Sequence, residues 1–337
     1  MNRPKIVAAA LYTLTPGQYA DFFALLAERV RGATREGKPF FSCRFRDARR
    51  IVSCMVWADS PWYEACERDW KEGQCYKLRA VYAEHERYGP QIELHNIRAV
   101  TDADRADGFD PGEFVESSRF SVDTMFDELI ALAKAEIRDE PLRQLVLTLY
   151  ERHGGQLREL PASTKHSHPF RGGWLEHTWS LTKLCVSLAD HYSAHYGDMS
   201  PKLNRDLVVA GAMLHDIGRV LELSTETTTA QPTLPGRLLG YVVLGRDLIR
   251  DAAREFGNMN PELLLLLEHL VLTHLALPES HLSKPPAIPE AVLLHYADEL
   301  DGKMAMHFRW LDRDQGDGPF TARDPILGKA LLKQRDV

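Results

Sequence analysis

The sequence lacks the features that mark secreted, membrane-spanning and zinc-knuckle proteins. Its five cysteines form an odd set without a C-x-x-C pair, which argues against a disulfide framework and against a cysteine zinc site. No run approaches the roughly 18–20 apolar residues of a membrane helix, and the longest, Leu263–Leu267, ends at Glu268. Arg3 and Lys5 are not followed by a sustained apolar core, so no secretory signal is predicted. These absences predict a cytoplasmic protein with reduced thiols and no membrane partner.

The composition is that of a globular chain long enough for two domains. Of its 337 residues, 44% are hydrophobic and 26% are charged, which excludes a disordered or collagen-like chain. The net charge of −7 is uneven, since residues 1–100 carry a balance of +4 and the remainder one of −11. An acidic half suits divalent metal ions and a basic half suits a polyanion, although neither charge is decisive alone.

Residues 1–100 show short runs of alternating hydrophobicity that are separated by turn residues. Tyr88-Gly89-Pro90 is one such turn, whereas Tyr19–Arg29 has the pattern of a helical or partly helical segment. About five strands in under a hundred residues predict a small β-barrel, for which the OB-fold is the natural candidate. The clearest strand patterns lie at residues 40–46, 51–57, 77–83 and 91–100.

The pattern becomes helical after a segment typical of a linker. Residues 101–120 are rich in Asp, Gly, Pro and Ser, and Ser121 can cap a helix that begins at Val122. The sequence therefore predicts a two-domain protein, with an OB-fold over residues 1–100, a linker over 101–120 and an all-α domain over 121–337. The further predicted helices lie near residues 140–153, 174–196, 202–222, 236–256, 260–275, 288–311 and 324–334.

Histidine and carboxylate side chains recur at four places in the helical half. A His-Asp pair between apolar neighbours is unusual, because burying a carboxylate costs several kcal/mol unless a partner compensates. A single His-Asp pair is better explained by a structural hydrogen bond than by a bound cation. The occurrence of such a pair together with further His and Asp residues on other helices favours a divalent metal. Imidazole and carboxylate donors suit Mn²⁺, Fe²⁺, Co²⁺ or Zn²⁺ better than Mg²⁺. The four places are His177, His215 with Asp216, His269 with His274, and Asp298 with Asp301.

Three motifs resemble those of the HD phosphohydrolase superfamily and, within it, the YhaM-type 3′→5′ exoribonucleases. They are Gly-Gly-Trp-Leu-Glu-His-Thr at 172–178, Ala-Gly-Ala-Met-Leu-His-Asp-Ile-Gly-Arg at 210–219, and the segment 290–304, which contains His-Tyr-Ala-Asp-Glu-Leu-Asp. In that family an OB-fold precedes an HD domain, and the resemblance covers nearly the whole chain. It implies a metal-dependent exonuclease that degrades single-stranded RNA to nucleoside monophosphates, with DNA as an alternative substrate.

The resemblance also implies roles for individual residues. His177, His215, Asp216 and Asp298 would hold a divalent transition metal. If two ions bind, Asp216 would bridge them, and His269 with His274 would hold the second. A core position remains the alternative for those two histidines. Asp301 is predicted to support a ligand rather than to be one.

The candidates for catalysis are Asp216 and three residues that can neutralise phosphate charge or protonate the leaving group. These three are His168, Arg219 and, more weakly, Lys303, and an arginine is well suited because its guanidinium forms a fork for phosphate oxygens. The alternatives are a surface position for His168 and a salt bridge at a helix end for Arg219.

The chain departs from the family pattern at several places. Leu275 stands where a second histidine usually follows His274, Arg219 replaces a lysine, Ser167 precedes His168 in place of a histidine, and residues 283–286 differ from a Gly-Ser-Pro segment. The loss of one histidine leaves the number of ions, one or two, open.

The barrel would deliver the substrate. OB-folds bind single strands by stacking bases on aromatic rings and by contacting phosphates with basic side chains. Alternation places Phe41, Cys43 and Phe45 on one face of their strand and other residues on the opposite face. The predicted nucleic-acid contacts are Lys38, Phe40, Arg44, Arg46, Trp57 and Tyr88.

Two other functions remain open at this point. One is an HD hydrolase of small nucleotides or cyclic dinucleotides, in which the barrel serves assembly. The other is a nucleic-acid-binding protein whose metal site has decayed. The sequence does not fix the oligomeric state, and a homo-oligomer is compatible with it.

Overall fold

In the computed structural model, the chain divides after Glu116 into two units. No helix of the described residues is both long and apolar enough to cross a membrane. The described residues are 7–34, 36–47, 49–85, 89–114, 116–164, 166–224, 230–275, 284–314, 318–324 and 326–333.

The N-terminal unit contains a closed five-stranded barrel that a short sixth strand extends. The strands pair in the order β1-β2-β3-β4-β6-β5, and β5 pairs back onto β2, which closes the barrel. All neighbours are antiparallel except the pairs β1–β2 and β4–β6. This topology confirms the predicted OB-fold. The elements are β1 (Val7–Ala8), β2 (Tyr19–Ala33), β3 (Pro39–Arg46), β4 (Ile51–Trp57), α1 (Tyr63–Arg68), β5 (Cys75–His85) and β6 (Gly89–Ala99).

The partly helical segment predicted at Tyr19–Arg29 is wrong, because it forms part of the long strand β2. Ala20, Phe22 and Ala24 are buried at every second position, which is the period of a strand that faces a core. The strand pairs with β3 along one part of its length and with β5 along the other. Pairing with two neighbours outweighs the weak helix preference of its Ala, Leu and Glu residues.

Residues 102–114, predicted as part of a linker, form two short 3₁₀ turns within the N-terminal unit. The turns cover Asp102–Asp107 and Pro111–Phe114. The buried carboxylate of Asp104 accepts hydrogen bonds from Arg98 and from the backbone of Thr101. Two domains over residues 1–100 and 121–337, joined by a linker over 101–120, remain our proposal, and the structure adds these packed turns to the end of the barrel.

The second unit is a bundle of helices, as the sequence predicts. Side chains of Ser121, Asp139, Asn204, Thr233 and Asn260 cap five of them by accepting hydrogen bonds from first-turn amides. The elements are α2 (Val122–Glu136), α3 (Glu140–Leu157), α4 (Gly173–His195), α5 (Arg205–Leu214), α6 (Arg219–Glu222), β7 (Leu223–Ser224), β8 (Gln231–Pro232), α7 (Leu234–Phe256), α8 (Pro261–Thr273) and α9 (Pro289–Arg313).

Two helix predictions are wrong. The single helix predicted at 202–222 is divided into α5 and α6 by the turn that holds His215 and Asp216. No helix forms in the described part of 324–334, because the Asp324 carboxylate accepts the amides of Ile326 and Leu327 and holds a turn there. Such local side-chain bonds compete with a helix for the backbone amides.

Candidate active site

Five side chains from four separate segments converge in the helical unit. His177 lies on α4, His215 and Asp216 follow α5, His274 follows α8, and Asp298 lies on α9. Nε2 of His177 is 3.2 Å from Nε2 of His215 and 3.1 Å from Oδ1 of Asp298. Oδ1 of Asp216 is 3.8 Å from Nε2 of His215 and 3.6 Å from Nε2 of His274. We call these five residues the His-Asp cluster.

Glycines allow neighbouring segments to approach the cluster-bearing segments closely. A Cβ on Gly173, at the start of α4, would lie 2.1 Å from the carbonyl oxygen of His168, and one on Gly218 would lie 2.0 Å from that of Tyr241. The indole of Trp174 donates to the carbonyl oxygen of Asp216 at 3.0 Å, which ties α4 to the turn after α5. These contacts fix the position of the His-Asp turn before any ligand binds.

Hydrogen bonds at Nδ1 orient the three imidazoles of the cluster. Nδ1 of His215 contacts the carbonyl oxygen of Ala212 at 2.9 Å, and Nδ1 of His274 contacts that of Val271 at 2.7 Å. A carbonyl can only accept, so in both rings Nδ1 carries a proton and Nε2 faces the cluster. Burial lowers the pKa of His215, which favours its neutral ring with a free Nε2 lone pair. Burial also opposes protonation of His274, but Asp216 outweighs it and raises the pKa of that imidazole. This arrangement is typical of imidazoles that bind metal ions.

Asp301, which the sequence predicts to support a ligand, contacts the third imidazole. Its Oδ2 lies 2.8 Å from Nδ1 of His177, and its Oδ1 accepts a hydrogen bond from Ser180 at 2.5 Å. Burial opposes protonation of His177, but Asp298 and Asp301 outweigh it and raise the pKa of this imidazole to about 10.

The cluster fits a divalent cation. Oδ1 of Asp216 is buried and has no hydrogen-bond partner among the described residues, which is costly unless a cation binds it. Burial opposes ionisation of this carboxyl, but Arg219, His215 and His274 outweigh it and hold its pKa well below the usual range. Donor atoms of His177, His215 and Asp216 all lie within 4.8 Å of one another. Nitrogen and carboxylate donors at this spacing could hold a transition metal.

His168 lies beside the cluster. Its ring centroid is 5.5 Å from that of His177, its Nδ1 is buried and unpaired among the described residues, and its backbone has a positive φ of 45°. Burial, together with the nearby His177, lowers its pKa to about 4. Donor atoms of His168, His177 and Asp301 form a second close group. The His168 imidazole is therefore a buried neighbour of the cluster. The alternative of a surface position for His168 is wrong.

Arg219 and Tyr241 border the cluster on the side of Asp216. Nε of Arg219 lies 3.4 Å from Oδ2 of Asp216, and its Nη1 donates to Glu222 at 2.7 Å. Its Cζ lies 3.7 Å from the ring centroid of Tyr241, whose hydroxyl is 3.3 Å from Nε2 of His274. Sequence reasoning missed Tyr241, because a tyrosine in a mostly apolar helix is usually a packing residue.

Two predicted site residues lie outside the cluster. Nε2 of His269 accepts a hydrogen bond from the backbone amide of Ala287 at 2.9 Å, so its lone pair is used locally, and we leave it out of the proposed ligand set. Lys303 is exposed and pairs with Glu299 one turn earlier on α9 at 2.8 Å.

On the barrel, burial along β3 alternates as the sequence predicts. Phe41, Cys43 and Phe45 are buried, whereas Phe40, Arg44 and Arg46 lie on the outer side. The Phe40 ring lies 5.3 Å from that of Trp57 on β4. Arg44 is exposed and contacts Glu28 at 3.3 Å, and Lys38 is exposed and contacts Glu36 at 4.0 Å. Tyr88, the remaining predicted contact, lies outside the described residues.

A groove adjoins the outer aromatic pair. It has a volume of about 350 Å³ and is lined by outward residues of β4, including Met55 and Trp57, and by Gln91 and Glu93 of β6. Trp57 leaves 46% of its surface exposed. Exposed aromatic rings beside a groove are the features with which OB-folds bind single strands.

The barrel, the helical unit and the His-Asp cluster together define an HD-domain hydrolase, and the HD domain family matches residues 174–303. Over 309 residues the chain is 30% identical to the 3′-5′ exoribonuclease YhaM of Bacillus subtilis (strain 168), covering 91% of this chain and 92% of that protein. This chain therefore belongs to the YhaM family, and it is a hydrolytic enzyme. The predicted family, fold class and enzyme class are confirmed.

Solved structures give weaker likenesses. A domain of replication protein A from Methanococcus maripaludis is 14% identical, with 28% of this chain and 96% of that chain covered and a TM-score of 0.23. Asparaginyl-tRNA synthetase from Pyrococcus horikoshii is 12% identical, with 44% and 36% covered and a TM-score of 0.23. These TM-scores are too low to support a conclusion about function.

We expect metal binding to strengthen with pH, because the proton on His177 competes with the cation for Nε2. With a pKa of about 10 in the metal-free protein, His177 is protonated at neutral pH. Each bound cation then releases about one proton, and affinity rises roughly tenfold per pH unit. Calorimetric Mn²⁺ titrations between pH 6 and 8, in buffers of different ionisation enthalpy, measure both quantities. An Mn²⁺ affinity that does not change with pH would contradict the expectation. In the Asp301→Asn variant, the dependence of this affinity on pH should be weaker.

Proposed function

We propose that this chain is a metal-dependent 3′→5′ exoribonuclease that degrades single-stranded RNA to nucleoside monophosphates, with single-stranded DNA as an alternative substrate. One observation carries the proposal: the His-Asp cluster surrounds a buried carboxylate oxygen that has no protein partner in the described chain. The relative named as an exoribonuclease supports both RNA as the substrate and the 3′→5′ direction.

The chain would hold the cation through His177, His215, Asp216 and Asp298. Mn²⁺, Fe²⁺, Co²⁺ and Zn²⁺ are the ions that such donors suit. When bound, the ion supplies Lewis acidity and lowers the pKa of water at the site. The protein's own part is to orient the His177 and His215 imidazoles through the contacts of Asp301 and Ala212 with their Nδ1 atoms. The contact of Val271 with Nδ1 of His274 holds that ring beside Asp216.

Arg219 and His168 serve the phosphate in this proposal. Arg219 is permanently charged and lies 3.4 Å from Asp216, so its guanidinium can contact phosphate oxygens beside the cluster. His168 has a lowered pKa of about 4 and is therefore neutral at pH 7. This supports a role as a neutral hydrogen-bond donor to phosphate rather than as an imidazolium acid.

The barrel binds the strand in this proposal. Phe40 and Trp57 offer adjacent rings for base stacking, and Arg44 and Arg46 follow on the same outer side of β3. Stacking accepts every base, which suits an enzyme that must move along any sequence. All five cysteines are free and buried, which supports a reducing compartment, and we propose the cytoplasm.

A digest of RNA labelled at its 5′ end tests the proposed function. With Mn²⁺ we expect a ladder of progressively shorter labelled products, which a chelator abolishes. The same RNA closed into a circle should stay intact because it has no end. Release of the labelled terminal nucleotide as the first product would contradict the direction. Hydrolysis of small nucleotides alone would instead indicate a nucleotidase, and no turnover with any divalent ion a decayed site.

A further inference from the structure

Two buried cysteines of the barrel unit lie in contact where helix α1 packs on strand β3. Sγ of Cys43, on β3, is 3.6 Å from Sγ of Cys66, on α1, and neither residue exposes any surface. A disulfide bond measures about 2.05 Å, so its closure needs the two sulfurs to approach by about 1.5 Å. Neither thiol has a part in the proposed metal site or in the proposed RNA contacts.

Cys66 is the more acidic thiol of the pair. Nη1 of Arg29 donates to the carbonyl oxygens of Cys66 and, at 3.1 Å, of Glu67, which places a fixed positive charge at the end of α1. The hydrogen bond with Cys43 and the charge of Arg29 outweigh burial and lower the pKa of the Cys66 thiol. The same hydrogen bond, together with burial, raises the pKa of Cys43. Because the thiolate is the nucleophilic form, Cys66 is the thiol that reacts first.

A third thiol lies nearby but is less well placed. Cys54 stands opposite Cys43 on β4, and burial raises its pKa to about 12, so it keeps its proton. In the described part of the chain, the sulfur of Cys43 makes its hydrogen bond with Cys66 and makes none with Cys54. Cys43 and Cys66 are therefore the two cysteines of this group that are best placed to bond.

Helix α1 gives a small oxidant its access to the pair. The helix spans only six residues, Tyr63–Arg68, and a helix this short has little stability without tertiary contacts. Its contacts include the Tyr63 ring, 5.2 Å from that of Phe41, and the hydrogen bonds from Arg29. Opening so small an element costs less than opening the barrel, so hydrogen peroxide can reach the thiols while the barrel stays folded.

We propose that Cys43 and Cys66 are a modification site at which hydrogen peroxide forms a reversible disulfide. The Cys66 thiolate attacks one peroxide oxygen, the O–O bond breaks, and the departing hydroxide takes up a proton to become water. The Cys43 sulfur then attacks the sulfur of the Cys66 sulfenic acid, the S–S bond forms, and the sulfenic hydroxyl leaves with the Cys43 proton as a second water. Two thiols are oxidised and one peroxide is reduced to two waters, and an added thiol reverses the modification by exchange.

The disulfide also affects the proposed RNA-binding groove, and this part of the inference rests on the proposed function. Ser60 and Trp62, which directly precede α1, line the groove together with Trp57 of β4. A shift of α1 toward β3 moves Ser60 and Trp62 relative to Trp57. We expect the oxidised protein to bind single-stranded RNA about tenfold more weakly, because a displaced ring loses about one base stack.

Mass spectrometry of the folded, full-length protein tests the modification without RNA. After treatment with hydrogen peroxide, the thiol count of the denatured protein should fall from five to three, and dithiothreitol should restore all five. Digestion with trypsin and with a protease that cleaves before Asp59 separates the three cysteines, and the Cys43 and Cys66 peptides should be linked. Cys54→Ala should still form this link, whereas Cys66→Ala should not.

A link between Cys43 and Cys54, or no link after peroxide treatment, would overturn the inference. The unmodified protein decides this point even if a variant fails to fold. Fluorescence anisotropy of a labelled single-stranded RNA measures the effect on the groove, with peroxide-treated Cys66→Ala as the control. Equal RNA affinity of the reduced and oxidised proteins would remove that effect. Reduced protein that does not bind RNA would contradict both the proposed role of the barrel and the effect on the groove, whereas the disulfide itself would stand.

Discussion

Asp216→Asn should abolish RNA hydrolysis and metal binding while leaving the fold in place. The substitution keeps the shape of the side chain but removes the negative charge of the Asp216 carboxylate. Oδ1 of that carboxylate faces His215 and His274. Loss of a bound cation removes several kcal/mol of transition-state stabilisation, so we expect kcat to fall about 10³-fold or more. Arg219 keeps its contact with Glu222, which limits the cost to stability. Single-turnover kinetics and metal analysis of the same preparation measure both effects.

Asp251→Asn is the control for this prediction. Asp251 lies on α7, and its side chain is 71% exposed and paired with Arg254, so the same chemical change there should leave kcat and metal content unaltered. If Asp216→Asn retained its metal and more than a tenth of the original activity, the His-Asp cluster would not be the catalytic centre. The convergence of the other four residues of the His-Asp cluster would then need an explanation other than catalysis.

Gly218→Ala should cause a large loss of stability in the helical unit. The added Cβ would lie 2.0 Å from the carbonyl oxygen of Tyr241 and 2.4 Å from the amide nitrogen of Gly245. Both are backbone atoms of α7, which cannot rotate away as a side chain could. We expect a loss of about 3 kcal/mol or more in the free energy of unfolding. Thermal unfolding followed by the helical circular dichroism signal measures it.

Gly155→Ala is the opposite case and serves as its control. Gly155 lies in α3, and a Cβ there would meet no atom within 4 Å. Alanine is preferred over glycine in a helix by about 0.5–1 kcal/mol, so the midpoint should rise slightly. An unfolding midpoint of Gly218→Ala as high as that of the unmodified protein would show that α6 and α7 are not packed as closely as the structure has them.

Local chemistry explains why the main elements could be predicted. The alternation of Phe40–Arg46 and the turns around it depend on neighbouring residues alone, and the structure forms β3 with that alternation. Polar caps such as Ser121 and Asn204 mark helix starts in the same way. The four places with histidine or carboxylate ligands were also visible in the sequence, because such groups rarely stand among apolar neighbours without a partner.

What could not be read from the sequence depended on distant contacts. Tyr19–Arg29 became a strand because β3 and β5 pair with it, and neither partner can be read from the segment itself. His269 resembles His274 in sequence, but the amide of Ala287 takes its lone pair. Tyr241 carries no sequence signal, and only its distance of 3.3 Å to His274 brings it into the site.

The two kinds of secondary structure, their order and the presence of metal-binding residue types could be predicted, because they follow from local periodicity and side-chain chemistry. Which histidines face Asp216, which carboxylate orients His177 and which neighbours border the cluster depend on tertiary contacts. The physical reason is that an ion site depends on separations of about 3–4 Å between residues far apart in the chain. Helix packing through glycine contacts such as that of Gly218 sets those separations.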